Sequence, residues 1–294
     1  MELGKLGVWT GMDGMTAAQA AAFARRVEAW GYAALWLPES RGRNALVHAS
    51  WLLANTDRLI VATGIANIYA RDAMAMANGQ RGLAEQSGGR FLLGVGVSHR
   101  PAVEGSRGHV YGRPVATMRA YLEAMRGTSY PAPPPPEPPL TIVAALGPRM
   151  LALSAALADG AHPYNTTPEH TAEARRILGP GKLLCPEVWV LRETDPGRAR
   201  AAARAALGRY QQLENYVNAW HRQGFGDDEL AGGGSDRFVD AMVAWGDEKT
   251  IRDRIQQHFD AGADHVCIQP ISPPGSSRHG DDELLAQLAP GRRS

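Results

Sequence analysis

The sequence predicts an α/β chain closed as a (β/α)8 TIM barrel with extra helices before its last strand, and three observations carry that prediction. Short apolar runs alternate with helical segments along the chain. The runs lack an alternating polar face, as expected of strands buried in a parallel sheet, and the composition has no internal break over residues 1–294, which are read as one domain. With 294 residues, 44% hydrophobic and 21% charged, the chain has the composition of a globular fold with a sizeable core. An open doubly wound sheet is the competing arrangement.

Leu3 to Val8 is a short strand, followed by a helix over Thr16 to Trp30 that Gly31 stops. The next pairs are Ala34 to Leu37 with Ala45 to Leu53, Leu59 to Ile68 with Ala73 to Glu85, and Arg90 to Val97 with Val115 to Met125. The proline run from Tyr130 to Pro139 is a stiff surface connector, because proline offers no N–H to a sheet. Leu140 to Ala145, Gly160 to Pro163, Leu183 to Leu191 and His265 to Ile271 complete eight strands. Helices over Met150 to Leu157 and Pro168 to Leu178 separate the first three of these, the second opened by Thr167 as N-cap. One long helical region over Pro196 to Gln223, then Asp236 to Trp245 and Lys249 to Ala261, precede the last strand.

The formal charge of +1 gives no global field for a phosphate backbone or an anionic membrane, so neither nucleic acid nor membrane is expected as a partner. The start MELGKLGVW lacks a secretory pattern and no eighteen apolar residues run together. Two cysteines, Cys185 and Cys267, each in an apolar stretch, point to a reduced cytoplasm rather than a disulfide framework. No HxH, HExxH or carboxylate cluster sets up a metal site, and no GxSxG elbow supports serine catalysis.

In a barrel of this kind the strand ends carry the chemistry. Those ends offer Trp9, Glu39 with Ser40, Gly64 to Asn67, Val97 to His99, Leu146 to Arg149 and His162 to Asn165. Gly94-Val95-Gly96 is no dinucleotide loop, since His99 stands where a third glycine belongs and no helix opens directly. Gly147-Pro148-Arg149 reads in two ways, as a plain strand-to-helix turn or as an anion cradle at a helix N-terminus. Gly64 inside an apolar strand marks a bulge, a close ligand approach or tight packing.

Five stretches together, LWLPE (35–39), VATGIANI (61–68), RFLLGVGVSH (90–99), LGPRM (146–150) and AGADHV (261–266), resemble the coenzyme F420-dependent branch of the luciferase-like flavin and deazaflavin oxidoreductases. The resemblance covers almost the whole chain and implies an F420 oxidoreductase with its cofactor in the barrel mouth, a cis peptide at Gly64–Ile65 and a homodimer formed through the second and third helices. Trp51, Met74 and Met76 are the candidates for that interface. Position by position it implies Ser40, Gly64, Ile65, Asn67, Val97, Ser98, Ala145, Leu146, Gly147, Pro148, Arg149 and His162 as cofactor-binding residues. Relatives that act on sugar phosphates carry Asp-His where this chain has Glu39-Ser40, so the proton role moves to His99, with Glu39 beside it. His99 has a second reading, as a loop residue that only orients the ring. Trp9 and Tyr111 are substrate-wall candidates, Trp9 with a core role as its alternative. An FMN-dependent monooxygenase and a non-catalytic cofactor-binding accessory protein are the competing functions.

Overall fold

The computed structural model describes residues 1–39, 41–271 and 281–290. Its first half runs β1 (Leu6–Trp9), α1 (Ala17–Ala29), β2 (Ala34–Leu37), α2 (Ala45–Leu53), β3 (Ile60–Thr63), β4 (Ala66–Asn67), α3 (Ala73–Gln86), β5 (Phe91–Gly96), α4 (Pro114–Arg126), β6 (Thr141–Val143) and α5 (Pro148–Leu157). Next come β7 (Gly160–Ala161), α6 (Pro168–Leu178), β8 (Leu183–Leu184), β9 (Glu187–Arg192), α7 (Pro196–Leu207), α8 (Glu214–Arg222) and α9 (Asp227–Leu230). The described chain ends with α10 (Asp236–Met242), β10 (Val243–Gly246), α11 (Glu248–Asp260), β11 (Val266–Pro270) and α12 (Asp282–Gln287). Side-chain caps from Thr16, Asn44, Asp72, Thr167, Asp195 and Asp247 satisfy the free N–H groups at their helix starts.

All strand pairs are parallel, in the order β10-β9-β11-β1-β2-β3-β5-β6-β7-β8, with β4 also on β5. The sheet closes because β8 and β9 are one chain-continuous stretch. Its first part pairs with β7 through Leu183 and Leu184, and its second part pairs with β11 through Glu187 to Val190. Outward-facing Val8, Leu35, Val61, Leu93, Val143 and Ile268 pack under the helices, while Trp9, Trp36, Ala62, Leu92, Cys185 and Cys267 fill the interior. Among the described residues no helix is long and apolar enough to cross a membrane.

Two expectations about helices need correction. Asp236 to Trp245 is not one helix, because Val243–Gly246 pairs with β9, whose free edge rewards an extended backbone. Pro196 to Gln223 is likewise two helices, separated at Gly208 to Leu213. The loop after β5 contains a π-helical turn, Pro101–Ser106.

The predicted strand Leu59 to Ile68 is split at Gly64 and Ile65, and Thr63 repairs the gap. Its hydroxyl accepts from Gly94 N at 2.9 Å and donates to Gly94 O at 2.8 Å. Gly94 must lack a side chain there, since its Cβ would lie 2.0 Å from Thr63 O. Gly94→Ala is therefore expected to cost more than about 3 kcal/mol, read as a drop in the urea unfolding free energy.

Candidate functional site

The C-terminal strand ends surround one mouth, where Ile65, Ser98, His99, Leu146, Gly147, Tyr164 and Gln269 are half-buried. The Gly64–Ile65 peptide is cis. It is pinned on three sides: Gly64 N donates to Leu37 O at 2.7 Å, Trp9 Nε1 donates to Gly64 O at 2.8 Å, and Glu39 N donates to Ile65 O at 3.2 Å. A Cβ on Gly64 would meet Trp9 Nε1 at 2.7 Å and His162 Nε2 at 2.9 Å, which explains the glycine by close packing. Trp9 thus lies in the interior with its polar edge committed to the backbone.

Glu39 is a brace at this rim. Its Oε1 accepts from Ala45 N at 3.2 Å and pairs with the Arg71 guanidinium, while Oε2 accepts from Asn67 N at 2.9 Å. Both side chains of the ion pair are buried. Asn67 turns its own Oδ1 onto Tyr69 N at 2.9 Å. Ala145 and Val97 pack outward against the helices, so their side chains do not line the mouth. Ser40 lies outside the described residues.

His99 and His162 differ sharply in placement. His99 sits on the rim, its Nδ1 3.2 Å from Asn215 Oδ1 on α8 and its ring 5.6 Å from Tyr216. Burial holds its pKa below the ordinary imidazole value, partly offset by the Asn215 bond. His162 is only 1% exposed, stacked on Trp36 at 4.6 Å, with Nδ1 donating to Cys185 O at 2.7 Å. That sets it beneath the mouth, inside the barrel rather than on the cofactor-facing rim that the resemblance implies. Ser98 takes a positive φ of 56°, and its carbonyl accepts from Tyr111 Oη at 3.2 Å. Tyr111 stacks on Tyr69 at 5.8 Å, and burial raises its phenol to about 12.

Helix α5 opens on Gly147 with Pro148 in its first turn and no side-chain cap. Arg149 is exposed beside it. Arg222, at the end of α8, brings Nη2 to 3.2 Å from where a Gly147 side chain would begin. Pro148 brings no N–H and Met150 N and Leu151 N both donate to Gly147 O, so it is the uncapped helix start together with the guanidinium groups of Arg149 and Arg222 that fits a phosphate.

Sequence reasoning gave no role to a polar chain across the other half of the mouth. Arg209 Nη2 donates to Tyr210 Oη at 2.7 Å, Tyr210 Oη lies 2.9 Å from Tyr164 Oη, and Tyr164 donates to Gln269 Oε1 at 2.8 Å. Tyr164 also meets Trp9 edge-on at 5.4 Å. Beneath lies Glu187, fully buried, its Oε2 accepting from Asn165 N at 2.9 Å. Burial pushes its carboxyl pKa well above the usual range. Glu187 and Gln269 were findable as lone polar residues in apolar strands; Tyr210 and Arg222, on the inserted helical region, carry no local signal.

A closed parallel barrel with titratable side chains and a helix N-terminus at the C-terminal ends of its strands has the arrangement of a TIM-barrel enzyme. The chain belongs to the luciferase-like monooxygenase family, whose model matches residues 2–265. It is 32% identical over 127 residues to a putative coenzyme F420-dependent oxidoreductase of Mycobacterium tuberculosis, a match covering 43% of this chain and 36% of that protein. The matched region thus spans about a third of that relative's length. Its fold is similar to an F420-dependent secondary alcohol dehydrogenase in complex with an F420-acetone adduct, with a TM-score of 0.77 and 14% identity, covering 98% of this chain and 97% of that one. It is also similar to monooxygenase RslO1 from Streptomyces bottropensis, with a TM-score of 0.70 and 15% identity, covering 97% and 98%.

Buried neutral histidines give the molecule a pH signature. Burial lowers His162 and His265 to about 4, and Trp36 Nε1 donates to His265 Nε2 at 3.0 Å, a bond that protonation would remove. Their folded values lie below the unfolded one, so the unfolded chain binds protons first as the pH drops. Stability is expected to be full above about pH 6.5 and to fall towards pH 4, by up to about 1.4 kcal/mol per pH unit for each histidine. Glu187, with its raised value, acts in the opposite sense and reduces the slope. Urea unfolding at neutral pH and at about pH 5 checks the sign.

Proposed function

We propose that this protein is an oxidoreductase that moves a hydride between coenzyme F420 and a small organic substrate in the barrel mouth. The cradle of Gly147, the α5 N-terminus, Arg149 and Arg222 carries the reading, because it fits the phosphate of such a cofactor. Bound there, the deazaflavin supplies a carbon that gives or accepts the hydride. Ile65, Ser98 and Leu146 are the half-buried rim residues that would hold its ring, with the peptide at Gly64 fixed behind them by Trp9 and Leu37. Glu39 keeps that rim in shape through Arg71, Ala45 and Asn67. His99, neutral and oriented through Nδ1 by Asn215, leaves Nε2 to take or return a proton at the substrate. The relative described as F420-dependent supports the choice of cofactor.

An FMN-dependent, oxygen-using monooxygenase is the second reading, favoured by the family's description and by the fold of RslO1. Titrating the protein with F420 and separately with FMN, following tryptophan quenching, decides between them. Micromolar F420 binding with negligible FMN affinity is expected, and Arg222→Ala should weaken it about tenfold and flatten its salt dependence. Preference for FMN, with oxygen consumption on adding reduced flavin, would favour the monooxygenase, and cofactor binding without turnover an accessory role.

The cytoplasmic homodimer is also part of this proposal. Val47, Trp51 and Met74 leave an exposed apolar face on α2 and α3, at 71%, 44% and 59% exposure, whereas Met76 is fully buried and belongs to the core. Light scattering is expected to find a dimer for the native chain and a monomer for Trp51→Asp.

A further inference from the structure

The mouth has two unlike sides. The phosphate cradle and His99 lie at the ends of β5 and β6, while the polar chain of Arg209, Tyr210, Tyr164 and Gln269 joins the ends of β7 and β11 to the segment between α7 and α8. The hydrogen-bond direction along this chain is set from its solvent end. A guanidinium only donates, so Tyr210 Oη accepts from Arg209, which also stacks over the Tyr210 ring at 4.6 Å. Tyr210 then donates to Tyr164, and Tyr164 spends its own proton on Gln269 Oε1.

That fixes the amide of Gln269. With its carbonyl oxygen occupied by Tyr164, the amide nitrogen is the group left to donate to a ligand. Gln269 stands at the mouth end of β11, two residues beyond interior Cys267 and in register with Trp189. The surrounding wall is aromatic: Trp9 is 5.4 Å from Tyr164, Tyr164 is 6.3 Å from Trp189, and Tyr210 is 4.9 Å from Tyr216. The ionisable neighbours of the two bridging tyrosines are Glu187, Tyr216 and Arg209. Glu187 is buried beneath them and acidic, and Arg209, the one cation of the polar chain, is separated from Gln269 by the hydroxyls of Tyr210 and Tyr164.

We propose that Gln269, held by Tyr164, Tyr210 and Arg209, is the donor that receives the oxygen of an uncharged carbonyl substrate. The proposal rests on the hydride-transfer reading and adds its substrate class. A carbonyl or enone is an acceptor of a hydride at carbon, and its oxygen needs a fixed donor to orient it. A carboxylate held at Gln269 would lose its hydration with the polar chain's guanidinium two tyrosine hydroxyls away. Gln269 contacts substrate here, whereas Tyr164, Tyr210 and Arg209 are positioning residues.

The test is binding, measured by saturation-transfer NMR titration of the full chain with acetophenone, 2-cyclohexenone and benzoate, with no cofactor present. Both carbonyl probes are expected to bind at least about tenfold more tightly than benzoate. Gln269→Glu, which replaces the donor with an acceptor at nearly constant volume, should weaken the carbonyl probes about tenfold. Tyr164→Phe, which frees the amide to rotate, should weaken them about fivefold. An unchanged thermal midpoint in both variants separates these losses from unfolding. Gln269→Asn gives a second donor-retaining variant, expected to bind more tightly than Gln269→Glu.

Benzoate binding as well as acetophenone, carbonyl affinities indifferent to both variants, or no carbonyl binding would each overturn the proposal. Titration with F420 keeps the two hypotheses apart. Loss of F420 binding with the carbonyl pattern intact removes the cofactor reading and leaves the Gln269 site standing. Normal F420 binding with carbonyl probes that ignore Gln269 does the reverse.

Discussion

Everything at the mouth depends on the Thr63 hydroxyl standing in for a backbone partner of Gly94. Where β3 gives way to β4 the parallel ladder is interrupted, and two buried backbone groups of β5 would lose their partners. An unsatisfied buried donor or acceptor costs about 1–3 kcal/mol, so the break is tolerated because one side chain answers both groups. The interruption lets the chain present Gly64 and Ile65 to the mouth. Glu39 then anchors the far side, bonding to the start of α2 and to Asn67 of β4.

The barrel and most of its elements were legible because parallel strands buried on both sides leave near-continuous apolar runs. Signals failed where pairing overruled local preference. Val243 to Gly246 reads as the end of a helix in isolation, and becomes a strand only because Trp189 to Arg192 offers an open edge. The two glycines of Gly94-Val95-Gly96 were visible, but their reason was not. One avoids Thr63 O, and the other avoids the Ile65 side chain, whose Cγ1 would lie 2.6 Å from a Cβ on Gly96.

The candidate site was legible by position more than by role. Strand-end counting placed His99, Leu146 to Arg149 and Tyr164 at the mouth, since the register of a barrel fixes which residues lie at its rim. It could not assign Glu39 to Arg71, which is 32 residues away in sequence, nor find Arg222 beside Gly147. Such partners are made by tertiary packing and leave no periodicity. His162 was misplaced for a related reason: strand β7 is so short that a one-residue shift separates the rim from the interior.

Helix α8 touches both halves of the chemistry at once. Asn215, near its start, holds His99, and Arg222, at its end, reaches the cradle at Gly147. One short helix therefore sets the position of both contacts, and a change in its packing would shift them together. On the proposed function, the nine residues of α8 would tie the hold on the cofactor to the orientation of the imidazole.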